Sequence, residues 1–539
     1  MVPQRIIGFF WFILVSASVF SVSDMLVESL QTPKWFAMKA VLIFGVLIFM
    51  VYINVFRPMI KWDIAYHRIC EITNTIAFIV SALAILQYFG MIHRYQGYAI
   101  GTFDNTAGLT ACLSLTFPMG FTFFSQYSKN GRLIFVLLKM TSILAISLYG
   151  SRIGLLCILL IMIVGISRKQ KYQFLWSSFF LFIAFPIFAF AIKTDSTRGR
   201  WFIIQRTFDL IKEHPFSGWG SQGFMINYMN VQADYFSRHP NSQYAFLADN
   251  IHHPLNEFLF VAVNYGIWAI VLLFICISST FLFAYRHPSV FTKEGCMLLI
   301  SILLLSAFSY PFAYPLTFLI LLLSIVLVYS PLTSFFPWKR CSIVCYLFVY
   351  MALIQQSYSL ANNVTNQFAW KRALEEINKG NQQRAKAIYS TIYESMNTDY
   401  SFLYNYAHEM YTAKEYPLAL KIAKEAERHI SDYDLQLLMG DVLSVLGENE
   451  NAIAAYQKAS NMCPSRLTPL FEIYMLYSQQ NDTIGCVRMH DIINNRHYKK
   501  MNTEVLKMLH HVNMDFKSRH NLQHQFINKK QFNYEKIFN

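Results

Sequence analysis

Thr194-Asp195-Ser196-Thr197-Arg198-Gly199-Arg200-Trp201 opens the long polar interval, 194–266, that interrupts an otherwise apolar first 360 residues. The runs on either side of it decide the fold class. They recur at 6–23, 35–56, 73–91, 106–126, 132–150, 152–167, 172–193, 255–285, 295–311, 314–331 and 341–359, most of them long enough to cross the hydrocarbon of a bilayer. With 55% hydrophobic and 14% charged residues in 539, the chain is too apolar for an ordinary soluble protein. Backbone inside lipid has no water to bond, so such runs close their hydrogen bonds internally as helices. The expected fold is all-α: a polytopic membrane helix bundle of about 11 spans, with a large polar loop at 194–254 and a soluble C-terminal part.

Sidedness follows from charge, because lysine and arginine are retained in cytoplasmic loops. With the N-terminus cytoplasmic, Arg57, Lys61, Arg68, Lys129, Arg132, Arg168, Lys169, Lys171, Arg286, Lys293, Lys339 and Arg340 all fall on that side. The short opposite loops hold only Lys34, Arg94 and Arg152. The polar loop and the C-terminal part then face away from the cytoplasm. These loops account for much of the formal charge of +14, and no nucleic-acid motif accompanies it, so nucleic acid is not an expected partner. The first run follows Arg5 without a small-residue cleavage site and reads as a retained helix. Most of the nine cysteines sit in or beside apolar runs and read as small buried hydrophobes. Lys139, inside the fifth run, calls for pairing within the bundle or snorkelling to the surface.

After the last run the composition turns polar and small residues recur at fixed spacing. Gly440, Ala452, Ala459 and Pro464 are separated by 12, 7 and 5 residues, and Ala407, Ala419 and Ala426 keep the first two intervals. Ala373 and Ala385 repeat the 12, displaced by 34, and Cys486 takes a small position further on. This spacing resembles the tetratricopeptide repeat, in which paired helices approach closely only where side chains are small. Repeats are expected over 361–500, followed by a basic tail, 501–539, with a capping helix and a flexible end. Because Cys486 packs in this register, no disulfide to Cys463 is expected.

The polar interval gathers Arg198, Arg200, Arg206, Arg238, His214, His239, His252 and His253. Fixed guanidinium charge beside titratable imidazole suits chemistry that grips an anion and moves a proton, although a solvated loop collects the same residues. Its acidic residues lack the spacing of metal ligands, so no metal is expected; Asp249 or Glu257 are the acids expected to orient a histidine. Gly218, Gly220 and Gly223 follow no strand and lack a phosphate-loop lysine, so they read as a turn.

Four stretches, in order, resemble the superfamily of O-antigen ligases, O-antigen polymerases and bacterial O-linked oligosaccharyltransferases. They are Gly101-Thr102-Phe103-Asp104-Asn105, Ser151-Arg152-Ile153-Gly154, Gly199-Arg200-Trp201 continuing to Pro215-Phe216-Ser217-Gly218-Trp219-Gly220, and Asn256-Glu257-Phe258-Leu259 with Tyr265-Gly266 behind it. The family commonly places histidine directly before that asparagine, where this chain has Leu255. The resemblance implies a membrane glycan-transferase domain over 1–360, with 194–254 as its catalytic loop. The donor would be a glycan on undecaprenyl diphosphate, and the acceptor lipid A core, a protein hydroxyl or another lipid-linked chain. Arg152 and Arg200, with Arg198 and Arg206 nearby, would hold the diphosphate, and His253 first, His252 second, would serve as base. The transfer would be inverting, without cofactor or metal. The site would lie on the periplasmic face of a bacterial inner membrane, with the repeats offering a surface to a protein partner. A lipid-linked sugar flippase and a repeat-based membrane scaffold are the alternatives from other classes.

Overall fold

The computed structural model describes residues 2–56, 62–165, 194–331, 343–499 and 501–535, which are helical, with no strand among them. The apolar run at 172–193 lies outside the described residues. Among the described residues, four helices are long and apolar enough to cross a membrane: Ile64–Tyr88, Lys129–Leu148, Glu257–Arg286 and Val290–Phe308. Shorter apolar helices accompany them at Arg5–Phe20, Thr106–Thr116, Arg152–Met162 and Pro315–Val328. The chain divides into two compact units, Met1–Ile192 with Leu255–Phe258 and Ala269–Asn378, and Lys193–Pro254 with Leu259–Trp268 and Lys379–Asn539.

The first unit is built on a core that includes Val15, Val80, Leu113, Ile146, Leu298 and Ile320. Leu272, Phe274, Ile275 and Leu282 stay exposed on Glu257–Arg286, an arrangement suited to lipid rather than water. The run expected to be continuous over 106–126 is broken. Thr106–Thr116 ends before Pro118 and Gly120, and a 3-10 helix, Phe121–Gln126, follows. Lys139 and Glu294 hold this break from inside the bundle. The Lys139 ammonium donates to the carbonyls of Thr116 and Met119, both at 3.2 Å, and to Asn74 Oδ1 at 2.6 Å. Glu294 accepts from the Gly120 amide at 2.6 Å and from Thr122 Oγ1 at 2.7 Å. A cation meets the carbonyl end of one helix and an anion the amides that begin the next turn, the sense that helix dipoles favour.

In the second unit, helical hairpins run Tyr400–Thr412 with Tyr416–Glu427, Tyr433–Val445 with Asn449–Met462, and Thr468–Gln479 with Thr483–Asn495. Ala407, Ala419, Ala426, Ala452 and Ala459 are fully buried, and Cys486 nearly so. A Cβ at Gly440 would strike the Tyr456 ring, which is why that position must be small. Cys463 and Cys486 are free thiols. The tail is helical from Thr503 to Glu535, and its Asp515 accepts from Tyr474 Oη at 2.8 Å and Arg519 Nε at 2.9 Å. The polar interval contributes two helices to this same unit, Thr194–Glu213 and Gly223–Arg238.

Candidate functional site

Within the first unit, two of the four motif stretches, 101–105 and 256–259, meet at the turn at 309–314. Asn105 caps Thr106–Thr116 by accepting from the amides of Ala107 and Gly108, and Tyr314 Oη donates to its side chain at 2.9 Å. Gln31 Nε2 donates to the adjacent Asp104 at 2.7 Å. Asn256 Nδ2 donates to the Ala307 carbonyl at 2.9 Å, and Glu257 accepts from the Phe312 amide at 3.2 Å. Ser151 joins the set through Thr110, whose hydroxyl lies 2.7 Å from its own. These contacts explain why short polar residues recur at fixed places in an apolar bundle: they close helix ends that would otherwise be unsatisfied. Arg152 starts the next helix partly buried, with no hydrogen bond or ion pair among the described residues.

In the second unit, the glycine turn after Pro215 is locked to the segment Val263–Ile267. The amides of Trp219 and Gly220 donate to the carbonyls of Val263 and Asn264 at 2.8 and 2.9 Å, and the Ile267 amide donates to Pro215 O at 2.8 Å. Asn264 completes the lock, accepting from the Phe224 amide and donating to Ser221 O. The price is a break in Glu257–Arg286 at Gly266, whose backbone sits at φ 78° and ψ 179°. The span expected at 255–285 is thus not straight: Gly266 turns its backbone out of the helical path so that Pro215 and Phe216 can approach.

Helix Thr194–Glu213 presents Phe202, Ile203, Thr207 and Leu210 inward, where Phe202 stacks on Tyr244 at 5.0 Å and lies against Phe236. Arg206 is spaced to join this face. It pairs with Asp209 at 2.9 Å, and its guanidinium covers the Tyr235 ring at 4.4 Å, so its charge is engaged within the fold. Arg198 is exposed and donates to Gln243 at 3.2 Å, and Arg200 is partly buried.

The two histidines follow in the chain but meet different partners. His253 stacks on Phe260 at 4.7 Å. His252 Nε2 lies 2.9 Å from Asp432 Oδ2 of the repeat hairpins. Asp249, one of the two acids expected to orient a histidine, meets two cations instead. Asp249 is bound by Arg466 at 2.7 Å and Lys499 at 3.1 Å, and Glu257 by the Phe312 amide. Asp432 also accepts from Asn250 Nδ2 at 2.6 Å, and its other oxygen caps Tyr433–Val445 through the Leu435 amide at 2.9 Å. Gln232 links the Asp249 and Met462 carbonyls at 3.0 and 2.7 Å, and the Ser431 amide donates to Met225 O. The repeats therefore grip residues 225–252 through charged and backbone bonds. Sequence gave no pointer to Asp432, which lies 180 residues from His252 and has the look of a plain helix cap.

Burial disfavours charge on Asp249 and Asp432. It is outweighed for Asp249 by Arg466, the Asn250 amide and Lys499, and for Asp432 by His252, Asn250 and the Leu435 amide. Both carboxyls are held below the usual 3.8. A carboxyl depressed on folding adds stability above its unfolded value and loses it as pH falls through the folded one. Protection of the amides at residues 249–252, relative to their intrinsic exchange at each pH, should therefore hold down to about pH 4 and fall below it. Equal protection at about pH 5 and about pH 2 would show that these ion pairs do not hold the loop.

Comparison with known proteins agrees with part of this picture. Residues 133–274 match the family model described as O-antigen ligase, a stretch that includes Arg152, Arg198, Arg200, Arg206, His252 and His253. No curated protein matches the chain. The crystal structure of the APC/C hetero-tetramer Cut9-Hcn1 aligns over 89% of this chain and 89% of its own. At 10% identity and a TM-score of 0.24, that likeness carries no argument. The chain thus resembles the O-antigen ligase family over residues 133–274, within a multi-pass membrane protein that ends in helical hairpins.

Proposed function

We propose that this chain transfers an oligosaccharide or polysaccharide from undecaprenyl diphosphate to an acceptor hydroxyl on the periplasmic face of the bacterial inner membrane, in the manner of an O-antigen ligase. The observation that supports this most is that Arg198, Arg200, His252 and His253 fall both in the ligase match and in one compact unit. A lipid diphosphate leaving group concentrates negative charge, and the forked guanidinium of Arg200, with Arg198 beside it, suits holding that charge. Each such charge-assisted hydrogen bond contributes about 1.5 to 3 kcal/mol. Arg206 serves the fold instead, through Asp209 and Tyr235. Arg152, in the first unit, is a separate candidate for the lipid diphosphate.

The acceptor oxygen attacks the anomeric carbon as that carbon's bond to the diphosphate oxygen breaks. The bonding pair departs with the diphosphate, and the hydroxyl proton passes to a neutral imidazole of the 252–253 pair. One direct displacement inverts the anomeric centre and calls for neither metal nor cofactor. Lipid A core is the first acceptor to try; a protein hydroxyl, for which the repeats would add a binding surface, and a growing glycan are the others.

The test is transfer by purified protein in proteoliposomes with lipid-linked glycan and a panel of acceptors. Arg200→Ala should lower kcat/KM by about 10- to 150-fold, the equivalent of one lost charge-assisted contact, with Arg200→Lys recovering only part. Undiminished transfer by Arg200→Ala would remove that residue from the site.

A further inference from the structure

We infer that Asp432, in the repeat hairpins, orients His252 as the base of the transfer, so that the repeats are part of the catalytic apparatus. This rests on the proposed function. The geometry that carries it is a three-way grip on one carboxylate, with His252 Nε2 at 2.9 Å, Asn250 Nδ2 at 2.6 Å and the Leu435 amide at 2.9 Å. The Asp432 side chain is 13% exposed, whereas that of His252 is 38% exposed and open to a reactant.

An ionised carboxylate can only accept hydrogen bonds. The partners that hold Asp432 charged therefore fix the hydrogen of His252 on Nε2. That leaves the lone pair on Nδ1, the atom that takes the acceptor's proton. As the proton arrives, the imidazolium forms against a fixed negative charge, which stabilises it. Asp432 touches no substrate in this scheme and is a positioning residue. Asp249, three residues before His252, clamps the same segment without touching the imidazole. It separates holding the loop from orienting the base.

Asp432→Asn is the informative variant, because asparagine caps helices as well as aspartate does. It should lower kcat roughly 10- to 100-fold with an unchanged donor KM, losing part of the about 100- to 10,000-fold that a general base supplies. Asp432→Glu should recover part of the rate. Asp249→Asn should keep kcat within about twofold. Wild-type kcat in Asp432→Asn would overturn the inference while the transfer activity stands. So would an equal loss in Asp249→Asn, which would reduce Asp432 to a clamp. Absence of transfer by the wild-type protein with every acceptor would overturn the function and this inference with it.

Discussion

His252→Ala should slow glycan transfer by about 100- to 10,000-fold, the usual contribution of a general base, with little change in donor KM. His252 ranks first here because Asp432 Oδ2 lies 2.9 Å from its Nε2, so His253→Ala should cost less. The order reverses the one the sequence favours, in which His253 leads because it lies nearer the position the family fills with histidine. Leu255 at that position has a left-handed backbone, φ 56°, so the chain path there is already unusual. Steady-state rates for both variants decide the matter, and equal losses would mean that the two imidazoles act as one group.

Gly266→Ala should be strongly destabilising. At φ 78° and ψ 179° the backbone lies in a region that only glycine reaches cheaply, and a Cβ would strike the Phe216 carbonyl, an atom held by its own chain. Backbone strain of about 1 to 3 kcal/mol and a similar overpacking cost together give about 2 to 6 kcal/mol. Gly220 also has positive φ, 93°, but its Cβ would meet nothing within 4 Å, so Gly220→Ala should show the backbone share alone, about 1 to 3 kcal/mol. Thermal unfolding in detergent would separate the two. Equal stability of both variants would mean that the contact between Pro215 and the broken helix is not essential.

Much of the fold was legible because it is written in periodicity. Apolar length marks membrane helices, and the spacing of Ala407, Ala419, Gly440 and Ala452 marks paired helices whose small residues are buried. What stayed hidden depends on residues distant in sequence. The break at 117–120 needs Lys139 and Glu294, each of which reads locally as a misplaced charge. The kink at Gly266 needs Pro215, a partner that the Tyr265-Gly266 motif does not announce. At the site, arginines and histidines stood out by residue type alone. Their roles did not: Arg206 differs from Arg198 by what lies against it, Asp209 and Tyr235 rather than Gln243, and Asp432 could be linked to His252 only through the fold.

The central claim is that this chain breaks the bond between a glycan and its lipid diphosphate carrier. The most direct measurement follows donor and products together in proteoliposomes, counting lipid diphosphate released against glycan joined to acceptor. Acceptor-dependent release in a one-to-one ratio with transfer is the result this account requires. Movement of intact lipid-linked glycan between leaflets, with no diphosphate set free, would contradict it and make the protein a carrier rather than a transferase.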